Sequence, residues 1–238
     1  MRLKLTLEYD GTGFRGWARQ PGERTVEGEL RAVLDRLYEA HSGLAVAGRT
    51  DTGVHALGNV VSVDAEGGPP PERAAEALNT ALPEDLAVSA VEAAAPDFHA
   101  RFSARSRSYR YRIWRRRARS PFETRRSLWH PRPLDLERLC TAATAIVGEH
   151  DFRAFTPTET RHEVFVRRVE DARWVEAGPV LALELTADSF LRHMVRTLVG
   201  TMLECEPDDV AGLLAGAPRS AAGATAPPWG LYLTAVRY

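Results

Sequence analysis

Residues 48 to 56 read Gly48-Arg49-Thr50-Asp51-Thr52-Gly53-Val54-His55-Ala56, a carboxylate between two hydroxyls, with glycines bracketing the group. Glycines permit unusual dihedrals and close backbone approach, so a loop of this kind presents one side chain to a ligand. That side chain is Asp51. An unperturbed aspartate has a pKa of about 3.9 and is ionised at neutral pH. Arg49 beside it favours the charged form, which leaves Asp51 available as a nucleophile or general base. Two plainer readings use the same residues. Asp51 can be a turn aspartate in a surface ion pair. It can also be a metal ligand with His55 four positions on, joined by Asp10, His99 or His193, although no HExxH or paired Cys/His spacing supports a metal. Gly11-x-Gly13 lacks the third glycine and the lysine of a phosphate-binding loop, so neither metal nor nucleotide cofactor is expected.

A second chemical signal is charge. The chain of 238 residues carries 31 basic and 32 acidic side chains, yet residues 101–133 hold twelve arginines and one acid, Glu123. Tyr109, Tyr111 and Trp114 are interleaved with them. Guanidinium forks suit phosphates and ring faces suit bases, so this block reads as a polyanion-binding surface, with a solvated arginine-rich face as the plain alternative. Hydrophobic residues make up 44% of the chain and charged residues 26%, values of an ordinary folded protein rather than a disordered one. The apolar runs are too short to span a bilayer, and residues 1–8 alternate without the apolar core of a secretory signal, so a cytoplasmic location is expected. Cys140 and Cys205 fit neither a CxxC motif nor a disulfide framework and read as packed thiols.

The elements that must position these residues fall into two successive α+β patterns. Leu3, Leu5 and Leu7 alternate with Lys4, Thr6 and Glu8, a half-buried strand that runs into the turn at 10–13. After Thr25, a plausible N-cap, apolar residues at 26, 30, 33, 34, 37 and 38 mark one helical face. Strands at 44–47, 58–64 and 86–92 follow, with a helix over 71–82, so the Asp51 segment stands at a strand's C-terminal edge. One unit closes near residue 104. Residues 106–115 begin another, with Tyr109, Tyr111 and Ile113 on one strand face. A helix over 134–147, strands at 164–176 and 180–187, a buried helix starting at Phe190 and capped by Asp188 or Ser189, and a helix over 208–214 come next. An Ala/Gly/Pro-rich stretch, 215–228, reads as a surface loop before a closing strand at 231–236. The expected architecture is two α+β domains, 1–104 and 105–238, with a ligand cleft where they meet.

Several of these segments, taken together and in order, closely resemble the tRNA pseudouridine synthase A family. The motifs are Glu8-Tyr9-Asp10-Gly11 with Gly16-Trp17, Gly48-Arg49-Thr50-Asp51-x-Gly53-Val54-His55, and Asp97-Phe98-His99-Ala100-Arg101-Phe102-Ser103. In the second half they are Tyr109-Arg110-Tyr111, Gly148-Glu149-His150-Asp151-Phe152, His193-Met194-Val195-Arg196 and Gly230-Leu231-Tyr232-Leu233. The resemblance implies a pseudouridine synthase fold of two ferredoxin-like-related halves and a cofactor-free isomerase. Such an enzyme detaches uracil at N1 and rejoins it to the ribose through C5. By the same resemblance Asp51 matches the catalytic aspartate, attacking either the ring or the anomeric carbon. Tyr109 matches the tyrosine that stacks on the extruded base, Arg196 a helix arginine pairing with the carboxylate, and Arg49 an arginine that displaces the base. Arg107, Arg110, Arg115 and Arg116 are the candidate RNA contacts.

The resemblance also implies a homodimer and a target on the 3′ side of the tRNA anticodon arm, positions 38 to 40. Thr52 and Ala18 depart from the family, which usually has Ala and Gln there. A tRNA-binding protein without isomerase activity is the alternative, and a metal-dependent hydrolase using Asp51 and His55 is a third reading.

Overall fold

The computed structural model describes residues 1–160 and 162–238. The chain forms two compact units, Met1–Arg105 with Tyr232–Tyr238, and Ser106–Leu231. In the first unit, β1 (Arg2–Tyr9) runs antiparallel to β3 (His55–Glu66) on one side and to β4 (Leu86–Ala93) on the other, and β2 (Ala40–Val46) pairs with β3. The alternation read in the sequence has its expected outcome: Leu3, Leu5 and Leu7 are fully buried. Helix α1 (Val26–Leu37) starts where Thr25 accepts a hydrogen bond from the Gly28 N–H at 3.2 Å, the side-chain cap that satisfies an otherwise orphaned donor. It buries Val26, Leu30, Val33 and Leu34. α2 (Pro71–Ala81) opens on a proline, which is tolerated at a helix start because no N–H is needed there.

β3 is longer than its apolar core at 58–64. It is buried along most of its length, and it carries Asn59 and Ser62 into the interior. Buried polar groups require partners. Ser62 Oγ accepts from the Ala100 N–H at 3.1 Å, and Asn59 serves the Asp51 loop, as described below.

In the second unit, β5 (Ser106–Trp114) pairs with β9 (Val180–Ala187), β9 with β8 (Val166–Ala177), and β8 with β7 (Gly148–Asp151), all antiparallel; the two-residue β6 (Leu128–Trp129) joins β5 in parallel. Tyr111 and Ile113 are fully buried and Tyr109 nearly so, as the strand alternation requires. α3 (Leu136–Ala145) begins two residues later than its periodicity suggests. The reason is Asp135, which takes the cap position and accepts from the Arg138 N–H at 3.0 Å.

α4 (Met194–Glu204) departs further from expectation, starting four residues after Phe190. Neither Asp188 nor Ser189 caps it. The Asp188 carboxylate turns back onto its neighbour Ser189, and His193 occupies the N-cap with φ of 62°, a left-handed conformation that separates the preceding turn from the helix. Leu191 is buried all the same, which is why the apolar pattern ran on through it. α5 (Pro207–Leu213) follows.

Residues 215–228 are bound to α4 rather than forming a loose surface loop. Gly200 makes this possible, because a Cβ there would lie 1.7 Å from the Ala224 carbonyl oxygen. Thr197 and Thr201, on the same helical face, hydrogen-bond Thr225 and the Gly223 N–H at 3.0 and 3.1 Å.

The closing strand, β10 (Leu231–Arg237), corrects the expected division. Expected with residues 105–238, it belongs from Tyr232 onward to the first unit, pairing in parallel with β3 through Tyr232 opposite His55 and Leu233 opposite Ala56. A strand's partner is set by the available edge and its register, neither of which is encoded locally. Among the described residues no helix is long and apolar enough to cross a membrane.

Candidate active site

The Asp51 segment connects β2 to β3, and its backbone is gripped from several sides. Tyr9, at the end of β1, brings its hydroxyl to 2.8 Å from Thr50 Oγ1. Asn59 on β3 donates through Nδ2 to the Tyr9 hydroxyl at 3.1 Å and to the Gly48 carbonyl at 2.9 Å. The Trp17 N–H donates to the Thr50 carbonyl at 3.0 Å, and the Val54 N–H to the Asp51 carbonyl at 3.1 Å. Burial pushes the Tyr9 phenol up to about 12, against the smaller opposing effect of its bonds to Thr50 and Asn59. It therefore stays protonated across the physiological range.

Two glycines let neighbouring turns close on this loop. A Cβ at Gly11 would meet the Val54 carbonyl oxygen at 2.0 Å, and Gly16, at φ of 85°, would bring one to 2.9 Å from the Thr50 oxygen. The loop ends at His55, a buried ring stacked on Tyr232 with centroids 4.6 Å apart. His55 Nδ1 lies 3.0 Å from the Gly11 N–H and 3.1 Å from Asp10 Oδ1. Among the described residues no group of three or more His, Cys, Asp or Glu is arranged to hold a metal ion.

Within this frame Asp51 is half-buried, whereas Arg49 and Thr52 are exposed. The expected Arg49–Asp51 ion pair is not formed among the described residues. Nor does the Thr52 hydroxyl bond Asp51 there. Of the loop's supports, Tyr9 stands in the Glu8-Tyr9-Asp10-Gly11 motif, whereas Asn59 lies in no motif; its signal is that an amide in the apolar run from 54 to 63 must find partners inside the fold.

The second unit holds the remaining candidates. Tyr109, 9% exposed, lies on β5 with Phe190 edge-on at 4.8 Å. Arg196 on α4 donates from Nε to the Ala226 carbonyl at 2.8 Å, and the Ala226 N–H returns a bond to the Arg196 carbonyl at 3.0 Å. The packed 215–228 segment thus fixes the start of this guanidinium's course.

Of the four candidate RNA contacts, Arg107 is only 8% exposed and donates to the Asp188 carbonyl at 2.9 Å. Arg110 is held by Glu184 at 2.7 Å, and the same carboxylate binds Arg173 at 2.7 Å. Burial alone would raise the Glu184 carboxyl, but these two guanidiniums outweigh it and leave it below its ordinary value. Arg115 pairs with Glu176 at 2.7 Å. Arg116 differs, because it is exposed and lies over the Trp114 ring at 5.2 Å. Arg117 and Arg119 are exposed beside it, the latter over Trp129 at 4.4 Å. Both indoles brace this loop, Trp114 Nε1 donating to the Ala118 carbonyl and Trp129 Nε1 to the Arg116 carbonyl, each at 3.0 Å.

With this geometry in place, comparison with known proteins gives a consistent result. Residues 6–103 and 142–238 match a family model described as tRNA pseudouridine synthase. Asp51 and Arg196 fall inside the matched stretches, and Tyr109 and the arginine loop fall between them. Over its whole length the chain is 41% identical to tRNA pseudouridine synthase A of Geobacillus kaustophilus, covering 94% of that protein. It is 39% identical to the corresponding protein of Bacillus subtilis and 45% identical to that of Thermus thermophilus, each across the whole chain, covering 99% and 96% of them.

Proposed function

As the chain belongs to the tRNA pseudouridine synthase A family and is an isomerase that makes pseudouridine in tRNA, we propose that its targets are uridines 38, 39 and 40 of the anticodon arm. Asp51 is the nucleophile. The N1–C1′ glycosidic bond breaks, the ring turns, and a C5–C1′ bond forms, with the C5 proton lost and N1 protonated, so no redox partner is needed. Tyr109 stacks on the extruded base. Arg196 is the carboxylate's pairing cation, and Arg49, exposed at the loop rim, displaces the base from its stack. The observation that carries this reading is the grip on the Asp51 loop by Tyr9, Asn59 and Trp17. A carboxylate is a weak nucleophile, and holding it in place converts its attack into an intramolecular step.

Extruding a base costs a few kcal/mol, and stacking worth about 1 to 3 kcal/mol per base, together with phosphate contacts, is sufficient to offset it. The exposed Arg116 supports an RNA contact by charge. Arg107, Arg110 and Arg115 act through the strand that carries Tyr109. The protein works as a homodimer in the cytoplasm, and light scattering on the purified chain checks the dimer.

The decisive experiment incubates the protein with unmodified tRNA and no added metal, then maps pseudouridine by carbodiimide treatment and primer extension. Stops at 38 to 40 that vanish with Asp51→Ala support the proposal. Stops elsewhere overturn the position, and tRNA binding without stops favours a binding protein.

A further inference from the structure

One aromatic side chain in the first unit stands outside the roles given so far. Phe102 is 76% exposed. A lone exposed apolar residue is ordinary on a protein surface. Phe102 differs in how firmly its turn is fixed. The Ser103 N–H donates to the His99 carbonyl at 2.9 Å, and the His99 N–H donates to Ser103 Oγ at 3.0 Å. His99 Nδ1 accepts from the Arg101 and Phe102 N–H groups at 3.2 and 3.3 Å, which places the ring's acceptor inward. Between them Ala100 is fully buried, its N–H given to Ser62 and its carbonyl accepting from the Tyr238 hydroxyl at 2.9 Å.

The turn therefore presents the Phe102 side chain to solvent. Its ring lies 4.4 Å from that of His99, tilted by 31°, and the Arg101 guanidinium is 5.5 Å from its centroid. Arg105 is exposed three residues on, and Asp97 is the one acid between 97 and 105. The turn also stands at the base of the Asp51 loop: Ala100 shares a core cluster with Ala47 and Val60, and the Ala47 N–H donates to the Val60 carbonyl at 2.8 Å.

An exposed ring backed by an imidazole, with a guanidinium over it that an incoming base can replace or sandwich, is what an unpaired nucleobase stacks on, its phosphate drawn to the arginines. We propose that Phe102, with His99 and Arg101, is a base-stacking site for an unpaired nucleotide of the tRNA other than the uridine that reacts. The proposal rests on the anticodon-arm reading. Every base has a π face, so the site tolerates any base and contributes grip and placement rather than sequence choice.

The test uses the full chain carrying Asp51→Ala, to prevent turnover, and an unmodified anticodon stem-loop RNA. Adding Phe102→Leu should leave the melting temperature unchanged, because the ring is exposed, and weaken RNA binding about tenfold, within the range of one stacked base. The salt dependence should stay as it was, since no charge is removed, and Phe102→Trp should restore affinity. Loop nucleotides replaced in turn by 5-iodouridine should photo-crosslink to Phe102 at one position. Equal affinity of the Leu variant overturns the site, and so does the absence of any crosslink to residues 98–105. A change in oligomeric state with Phe102→Leu also overturns it, assigning the ring to a protein contact. If the parent chain itself fails to bind the stem-loop, the anticodon-arm reading falls with it; if the parent binds and the variant binds equally, only the stacking site falls.

Discussion

The Asp51 loop and the arginine loop at 115–119 are both polar connections braced by aromatic side chains, and they are braced to opposite ends. In the first, Tyr9 and Asn59 reach from buried strands to the loop's hydroxyl and carbonyl groups, so the segment bearing the carboxylate is tied down on both sides. In the second, Trp114 and Trp129 hold the carbonyls of Ala118 and Arg116, while the guanidiniums of Arg116, Arg117 and Arg119 remain exposed. A nucleophile must be aimed within a fraction of an ångström, so its support belongs inside the fold. Phosphate recognition by long side chains tolerates more movement and depends on charge kept in solvent.

The largest effect is expected at Asp51, the proposed nucleophile. Asp51→Ala should lower pseudouridine formation by about 10⁴-fold or more, the scale of losing a catalytic nucleophile, with tRNA affinity held within a few-fold. Single-turnover assays and filter binding measure the two separately. Replacing Arg116, Arg117 and Arg119 with Ala should do the reverse, weakening tRNA binding by about 10- to 100-fold and flattening the plot of log affinity against log salt, since each lost phosphate contact removes about 0.7 to 0.9 from its slope. Arg110→Ala is the control within the same block. Because Glu184 already neutralises Arg110, its removal should cost thermal stability and leave the salt slope where it was. An unchanged slope for the triple variant would place the arginine loop away from RNA.

Asn59→Leu sharpens the inner side of the comparison. It leaves the Gly48 carbonyl and the Tyr9 hydroxyl without a donor, a loss of about 1 to 3 kcal/mol for buried groups, seen as a lower urea midpoint. If the network positions Asp51, kcat should fall while KM for tRNA holds. Equal activity in the still-folded variant would reduce Asn59 to a stability role.

The smallest effect concerns Glu184, whose carboxyl is held below its ordinary value by Arg110 and Arg173 once burial is overcome. A depressed carboxyl adds stability above its unfolded pKa and loses it as pH falls through the folded one. Glu184→Gln should thus melt lower than the parent at pH 7, and the gap should close on acidification below about pH 4. A gap that persists there would assign the effect to packing.

Much of this was legible from local signals. The Leu3-Leu5-Leu7 alternation, the Thr25 cap and the strand carrying Tyr109 all appear where the residues indicate, because each depends on neighbours a few positions away. The start of α4 was not, since a left-handed His193 interrupts an apolar pattern that buried Leu191 continues. Twelve arginines in 101–133 were visible as charge. That Glu184, Glu123 and Glu176 take up Arg110, Arg112 and Arg115 was not, because those acids arrive from other strands or from further along the loop.

By itself the sequence determined the main helices and strands apart from β6 and β7, the loop that carries Asp51 and, through its ordered motifs, the family and reaction. Those properties rest on backbone propensity, side-chain period and residue identity, all of which are carried locally. Only the tertiary structure decided that β10 joins β3 in the first unit, that 215–228 docks on α4 through Gly200, and which arginines stay exposed. Each of these depends on groups distant in the chain meeting at a few ångströms, where the partner that satisfies a buried edge, carbonyl or charge is chosen by the whole fold.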